Sequence, residues 1–498
     1  MLFPAILALK PESRMGNDLV QILPAPLPDP TLTSSEPSEV AIASGELWRT
    51  FYIETFGCQM NVHDSEKVAG VLMSRGLEPV DDPEQADIIL YNTCSIREKA
   101  AQKVFSRLGA FRKTHGDKLI GVLGCVAQQE GEKLFERAPQ VGLVCGSASY
   151  SKLPALLEQL RAGNRRVTGL GLDTEECFET ELTRRDNPFR AYLTIIEGCD
   201  KACSYCVVPT TRGPERSRPA DRVLEDCRRL VDDGYTEIQL LGQTVNSWRD
   251  SSPLRLSFAG LLGRVAEIPG VRRVRFTTSH PRDFTADIVE AIDAHPALCD
   301  QIHLPVQCGS NTLLRRMRRT YTRAEYLEKI DLIRRARREM SLSTDIIVGF
   351  CGENEADFKE TLSLLDSVEY DQVFSFKYSP RPNTPAGGWP DDVPEGEKGR
   401  RLTELQERQR QIQLRRNQAL VGREFEVLVE GYQPRLSQAV GRTTSNRVVN
   451  FPGEPDWLGR YLKVRVTAAG PNSLVGECLT ASRNGIDHGR RKDDSVSA

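Results

Sequence analysis

Cys199-Asp200-Lys201-Ala202-Cys203-Ser204-Tyr205-Cys206 sets three cysteines in a C-x3-C-x2-C spacing directly after the apolar run Ala191–Glu197. Three thiolates are one too few to close a four-cornered metal cage. They can hold an iron–sulfur cube by three of its irons and leave the fourth open to a ligand. A three-cysteine zinc site and three unrelated thiols are the alternatives. Downstream, six strand candidates follow one another: Ala191–Glu197, Glu237–Leu241, Val274–Thr278, Gln301–Pro305, Ser343–Val348 and Gln372–Tyr378. Helical segments fall between them, including Arg222–Asp233, Phe284–Ala294, Arg323–Glu339 and Glu355–Val368. Such alternation builds a parallel sheet. Six repeats over about 190 residues suit a partial (β/α)6 barrel better than an eight-fold one. In barrels the working residues sit on loops at the carboxyl ends of the strands, and the triad follows the first strand at once.

Upstream the same alternation recurs on a smaller scale. Phe51–Thr55, Ala86–Asn92, Leu119–Leu123 and Gly142–Val144 read as strands, with helical stretches at Ser65–Arg75 and Glu98–Lys113. This predicts a small doubly wound α/β domain, whose ligand site lies beyond the carboxyl ends of its strands. Cys58, Cys94 and Cys125 each follow a predicted strand within three residues. The fold would therefore gather them into a second cluster site. Cys145 also ends a strand, but a cluster with an open iron needs no fourth cysteine, so it reads as structural.

Residues 395–420 form an Arg- and Gln-rich helix leading out of the barrel. Beyond Gly422 the pattern turns purely strand-like: Glu424–Glu430, Ala439–Thr443, Arg447–Phe451, Tyr461–Ala468 and Leu474–Cys478. Five short strands predict a small antiparallel β-barrel, a form often used to bind nucleic acid. A barrel that only packs against its neighbour is the alternative. The Pro-, Ser- and Glu-rich residues 1–47 read as a disordered leader, residues 164–187 as a polar linker and residues 483–498 as a disordered tail. The expected domains are thus 48–163, 185–418 and 419–482.

The chain has 498 residues, 39% hydrophobic and 27% charged, which is ordinary for a globular protein. No apolar stretch is long enough to span a bilayer. Phe3–Leu9 lacks the basic flank and cleavage site of a signal peptide. Thirteen cysteines are too dilute for a disulfide scaffold and read as metal ligands and buried thiols in a reducing cytoplasm. A net charge of −3, from 66 basic and 69 acidic residues, excludes a polycation. The basic runs at 315–319, 334–338 and 415–416 read as solvated helix faces, or as local patches for a polyanion.

Several stretches carry a family resemblance: Gly57-Cys-Gln-Met-Asn61, Asn92-Thr-Cys-Ser-Ile-Arg-Glu-Lys-Ala100, residues 199–209 with Thr211-Arg-Gly213, His303-Leu-Pro-Val-Gln307 and Thr344-Asp-Ile-Ile-Val-Gly-Phe350. Over residues 48–482 the chain resembles the radical S-adenosylmethionine (SAM) methylthiotransferases. The wording after Asn92 looks most like their MiaB branch. The resemblance implies an N-terminal cluster domain, a radical SAM barrel and a terminal TRAM barrel that binds RNA. It implies two [4Fe-4S] clusters, one on Cys58, Cys94 and Cys125, the other on Cys199, Cys203 and Cys206, where SAM is chelated. It also implies methylthiolation at C2 of N6-isopentenyl-adenosine 37 in tRNA, with SAM as methyl donor and as source of a 5′-deoxyadenosyl radical. That C2 hydrogen is not acidic, so polar acid–base catalysis has little purchase on it.

No catalytic residue is expected beyond the cluster ligands. Tyr205 (through its backbone), Gln243, Asn246, Ser279 and Gln307 are candidate SAM contacts, with ordinary barrel-mouth packing as the alternative for each. Arg212, Arg216 and Arg218 are expected to meet phosphate or the SAM carboxylate. The implied partners are a tRNA anticodon stem-loop and an electron donor such as flavodoxin or ferredoxin. A cytoplasmic monomer with no membrane contact is expected. Methylthiolation of another substrate (threonylcarbamoyl-adenosine tRNA or a ribosomal protein), or an RNA-binding protein with structural clusters, are the competing readings. Cys308 replaces the family's usual Ser and Cys351 its usual Pro, both at strand ends on the expected active face. Retained function is the reading, because cysteine for serine is near-isosteric, and an adventitious thiol near the clusters is the alternative. Thr244 and Trp248 replace a more familiar Asn and Tyr.

Overall fold

A computed structural model describes residues 48–95, 98–111, 118–172 and 182–480. The expected leader and tail lie outside the described residues, as does part of the expected linker. The first unit contains β1 (Thr50–Phe56), α1 (Gln59–Met73), β2 (Glu78–Pro79), β3 (Ile88–Thr93), α2 (Glu98–Phe111), β4 (Leu119–Leu123), α3 (Gly124–Glu130), α4 (Lys133–Arg137), β5 (Val141–Cys145), α5 (Leu153–Arg161) and β6 (Val167–Gly169). Its strands form one parallel sheet in the order β2-β1-β3-β4-β5-β6. Ile88 and Leu90 pack towards α1 and α5, whereas Ile89 and Tyr91 pack towards α2, α3 and α4. Both faces are covered, which is why the strands read as unbroken apolar runs. The strand order reverses between β1 and β3, the switch point where such sheets hold their ligands.

Two expectations change here. The stretch read as a linker contains β6, so the sheet runs to Gly169, past the expected limit at 163. A three-residue strand behind the polar Asn164-Arg165-Arg166 is too short to show a period. Helix α1 starts at Gln59 rather than Ser65, because Cys58 takes the N-cap position with extended backbone.

The second unit contains β7 (Arg190–Thr194), β8 (Ile196–Glu197), α6 (Val208–Arg212), β9 (Arg216–Ser217), α7 (Ala220–Asp232), β10 (Glu237–Leu241), α8 (Phe258–Ala266), β11 (Arg273–Phe276), α9 (Ala286–Ala294), β12 (Gln301–His303), α10 (Asn311–Arg316), α11 (Arg323–Arg334), β13 (Ser341–Val348), α12 (Glu355–Val368) and β14 (Gln372–Lys377). Strands β7, β10 and β11 pair in parallel, as do β12, β13 and β14. The two halves adjoin where the Val274 N–H donates to Ala297 O (2.8 Å) and the Cys299 N–H to Val274 O (2.9 Å). The result is an open, six-stranded partial barrel. Its expected first strand breaks at Ile195. Beyond it, Ile196 and Glu197 pair antiparallel with Ser217 and Arg216, so the triad loop hangs from a small ribbon.

Helix α13 (Glu395–Gln418) leads to β15 (Glu424–Gln433), β16 (Gln438–Arg442), β17 (Val448–Pro452), β18 (Tyr461–Ala469) and β19 (Leu474–Thr480). They close a barrel in the order β15-β16-β17-β19-β18, with β17 and β19 parallel and the other pairings antiparallel. This barrel seals the amino ends of the larger barrel's strands. Arg273, 1% exposed, donates to Arg442 O and Glu426 O (both 2.8 Å). Arg275 donates to Thr443 O (2.7 Å) and Thr444 O (3.0 Å) while paired to Glu237 (3.2 Å). Truncating Arg273 would leave two carbonyls unpaired in a buried interface. Charged hydrogen bonds contribute about 1.5–3 kcal/mol each, so Arg273→Ala is expected to cost ~3 kcal/mol or more. A urea midpoint equal to the parent's would count against this account.

Candidate functional site

The triad loop begins where the backbone needs glycine. Gly198 has φ +78°, and a Cβ there would lie 1.9 Å from Pro214 O. The Cys199 N–H then donates to Gly213 O (3.1 Å), bringing the loop back over α6. Cys199 and Cys203 are buried and Cys206 half-buried. Their sulfurs receive protein donors. The Lys201 N–H reaches Cys199 Sγ (3.4 Å), and Arg319 Nη1 reaches Cys203 Sγ (3.5 Å). Arg319 is locked by donating Nη2 to Pro305 O (2.9 Å) and Nε to Tyr321 OH (2.8 Å). N–H donors to sulfur are a standard means of tuning cluster thiolates. Without a metal, burial pushes the Cys199 thiol up to about 11 and Cys206 up to about 12. Bound metal removes such protons outright.

The loops at the barrel mouth hold the other polar candidates. Thr278 (φ +70°), just after β11, and Gln307 (φ +76°), just after β12, adopt the left-handed region without being glycine. Strain of this kind collects at ligand sites, and a β-branched Thr there is a true outlier. Gln243 Oε1 and Ser279 Oγ are buried without a partner among the described residues. Buried polar atoms in that state are where a ligand's hydrogen bonds fit. Asn246 is differently occupied. It donates to His280 O (3.0 Å) and accepts from the His280 N–H (2.7 Å), tying two mouth loops together. The Tyr205 ring packs edge-on against Phe350, with centroids 6.2 Å apart.

Cys58, Cys94 and Cys125 follow β1, β3 and β4, three neighbouring strands. Asn61 Oδ1 accepts from Cys58 N (3.4 Å) and Cys58 Sγ (3.3 Å). Asn61 Nδ2 donates to Asn92 Oδ1 (3.3 Å), and Asn92 Nδ2 donates to Asn61 O and Ser65 Oγ (both 2.9 Å). This amide lattice joins the first two cysteine loops. The third is drawn in by Gly124 (φ +84°), where a Cβ would lie 2.3 Å from Asn92 Oδ1. Cys94 and Cys125 are buried. Beside Cys94, Thr93 Oγ1 and Ser95 Oγ are also buried without a partner among the described residues. Among the described residues, no group of three His, Cys, Asp or Glu converges on a single metal ion. Three thiols brought to the ends of neighbouring strands suit a cube, which offers each thiolate its own iron.

The two cysteine sets belong to units that meet at the mouth. Thr277 Oγ1 donates to Gln59 Oε1 (3.2 Å), Ser147 Oγ to Thr211 O (3.3 Å) and Arg212 Nη2 to Asp64 Oδ2 (2.5 Å). Met60, Tyr192 and Leu241 pack together with Cys58 and Val62. The arginines expected on phosphate or SAM are ion-paired within the protein: Arg212 with Asp64, Arg216 with Glu197 (3.2 Å) and Arg218 with Asp226 (2.5 Å). Cys308 and Cys351 are fully buried, and burial pushes the Cys308 thiol up to about 12, so neither is an open thiol at the mouth. Cys145 is likewise a buried thiol pushed up to about 12. Trp248 fills the core and donates Nε1 to Arg218 O (2.8 Å), while Thr244 donates to Glu215 (3.0 Å). The role of Arg319 is not legible in the sequence, because it ends a run of arginines that looks solvated. Asn61 and Asn92 stood inside the quoted motifs, but no pattern assigned them to each other.

Three family profiles match the chain: Uncharacterized protein family UPF0004 over residues 50–146, the Radical SAM superfamily over 193–365 and the TRAM domain over 418–479. A Solibacter usitatus protein named tRNA-2-methylthio-N(6)-dimethylallyladenosine synthase is 64% identical over 435 residues, 86% of this chain and 98% of that protein. A Koribacter versatilis protein of the same name is 58% identical over 438 residues, again 86% and 98%. Among solved structures, the radical S-adenosylmethionine methyltransferase TsrM from Kitasatospora setae, with tryptophan substrate and a SAM analog bound, superposes with a TM-score of 0.50. The superposition covers 68% of this chain and 75% of that one at 14% identity, a likeness of fold.

Proposed function

This chain belongs to the family of tRNA-2-methylthio-N(6)-dimethylallyladenosine synthases, and we propose that it methylthiolates C2 of N6-isopentenyl-adenosine 37 in tRNA. It is a radical SAM enzyme that works with SAM and [4Fe-4S] clusters. The observation that carries the reading is the docking of α1, which Cys58 begins, against the mouth where the Cys199–Cys206 loop lies. In this assignment Cys58, Cys94 and Cys125 hold one cluster, and Cys199, Cys203 and Cys206 hold the cluster that chelates SAM. When bound, these groups supply the electron, the radical and the methylated sulfur.

The chain's own side chains bind and orient. Arg319 and the Lys201 amide hold the triad sulfurs as hydrogen-bond acceptors. Gln243 and Ser279 offer unpartnered polar atoms to SAM. Asn246 ties their two loops together, and the strained Gln307 and the Tyr205 backbone complete the contact. The terminal TRAM barrel supports binding of tRNA, with the anticodon stem-loop as the part gripped. Because adenine must leave its stack to reach the mouth, single-stranded loop recognition suits this geometry. A flavodoxin- or ferredoxin-like electron donor, a monomeric state and a cytoplasmic location complete the proposal. So do the domain limits of about 48–169, 185–418 and 419–482, the first extended by β6. Among the described residues, no helix is long and apolar enough to cross a membrane.

Mass spectrometry of nucleosides from cells lacking the gene tests the substrate. Loss of 2-methylthio-N6-isopentenyl-adenosine with accumulation of N6-isopentenyl-adenosine is expected. Unchanged levels of the methylthio nucleoside would sink the reading, and loss of methylthiolation from a ribosomal protein in the same cells would extend it.

A further inference from the structure

Arg212 stands between the two cysteine sets. It ends α6, the short helix that starts two residues after Cys206, so its backbone is fixed by the triad loop. Its side chain is 4% exposed and crosses to the N-terminal unit, where Nη2 bonds Asp64 Oδ2 at 2.5 Å. Asp64 is itself 1% exposed and lies on α1, the helix that Cys58 begins. Helix α6 also packs against α3, which carries Cys125 in its first turn.

The other guanidinium nitrogen, Nη1, is buried and has no hydrogen-bond partner among the described residues. A buried cationic donor left unsatisfied is costly, and arginine cannot shed its proton to escape that cost. Burial works against its charge, while Asp64 and then Cys125 favour it, which places the Cys125 thiol within electrostatic reach. Of the anionic groups in that neighbourhood, Asp64 is already used and Glu197 is paired with Arg216. What fits the remaining N–H is an anion beside Cys125, and three thiolates on an iron–sulfur cube make that corner anionic.

We propose that Arg212 is a positioning residue of the N-terminal cluster. It is clamped by Asp64, carried on the helix that follows the triad, and turns its free N–H to the sulfur side of the Cys125 corner. The inference rests on the assignment of that cluster to Cys58, Cys94 and Cys125. One side chain would then set the register between the cysteine sets and hold a positive charge against the cluster that carries the transferred sulfur.

The full-length chain with Cys199→Ala, Cys203→Ala and Cys206→Ala isolates the N-terminal cluster for measurement. In that background, Arg212→Gln and Asp64→Asn are reconstituted anaerobically, their iron is counted, and the cluster midpoint is read by EPR-monitored titration. Iron near four per chain is expected throughout, about one cube. Losing the cation disfavours the more negative, reduced state, so the Arg212→Gln midpoint moves negative. The expected size is at least a tenfold change in the oxidised-to-reduced ratio, about 59 mV for one electron. Asp64→Asn removes the competing carboxylate and moves the midpoint positive. A parent-like midpoint in Arg212→Gln overturns the inference while leaving the cluster assignment standing. If Arg212→Gln does not reconstitute, a parent-like midpoint in Asp64→Asn overturns it. A triad-lacking parent that binds no iron refutes the assignment and the inference together.

Discussion

Replacing Cys58, Cys94 and Cys125 together with alanine is expected to abolish methylthio transfer while leaving reductive SAM cleavage measurable. The triad loop takes its geometry from its own unit: Gly198 against Pro214, the Cys199 N–H on Gly213 O, and Arg319 on Cys203. Nothing in that scaffold needs the N-terminal sulfurs. 5′-Deoxyadenosine should therefore still form, at a rate within about tenfold of the parent, a barrier change of about 1.4 kcal/mol or less. Methylthiolated nucleoside should fall below detection. Both products are measured by liquid chromatography and mass spectrometry from one reaction with dithionite, SAM and tRNA carrying N6-isopentenyl-adenosine. Retained methylthio product would remove these three cysteines from the sulfur-carrying role. Their amide lattice through Asn61 and Asn92 does not depend on the thiols alone, so the variant should stay folded.

The reciprocal substitution, Cys199→Ala with Cys203→Ala and Cys206→Ala, is expected to remove both outcomes at once. Iron should fall from about eight to about four per chain, as expected for one cube in place of two. Neither 5′-deoxyadenosine nor methylthio product should appear. The physical reason is that SAM is chelated only at this cluster in the assignment, and the thiols in the neighbouring mouth loops do not replace it. Cys308 and Cys351 are nearest in sequence to the mouth loops, yet both are fully buried. Iron remaining near eight would show that the clusters sit elsewhere. Iron near zero would refute the assignment of a cluster to Cys58, Cys94 and Cys125.

Local pattern carried much of this molecule, and the particular elements show how. Glu237–Leu241, Leu119–Leu123 and Glu355–Val368 appear in the structure with the bounds their apolar periods predict. Each is a segment whose own residues choose its period. The losses have equally local causes. β6 was too short to show alternation, and α8 and α10 were hidden between stronger signals. The first barrel strand reads as continuous because its apolar residues run through the break at Ile195.

The spacing of Cys199, Cys203 and Cys206, and the placing of Cys58, Cys94 and Cys125 after strands, were legible because a strand followed by a ligand-bearing loop is a contiguous stretch of chain. Which residues surround those cysteines was not. Asp64 and Arg212 lie 148 positions apart, and Arg319 lies 116 from Cys203. Arg212 and Arg319 looked in the sequence like arginines for solvent, phosphate or SAM, and only burial reassigned them. A side chain's partner across such distances depends on how whole units dock, and no periodicity records that. The sequence by itself determined the chemistry available to the chain, six thiols in two strand-end sets. The tertiary structure alone decided that one buried arginine stands between the two sets and another on the triad, because only packing brings distant charges out of water and into contact.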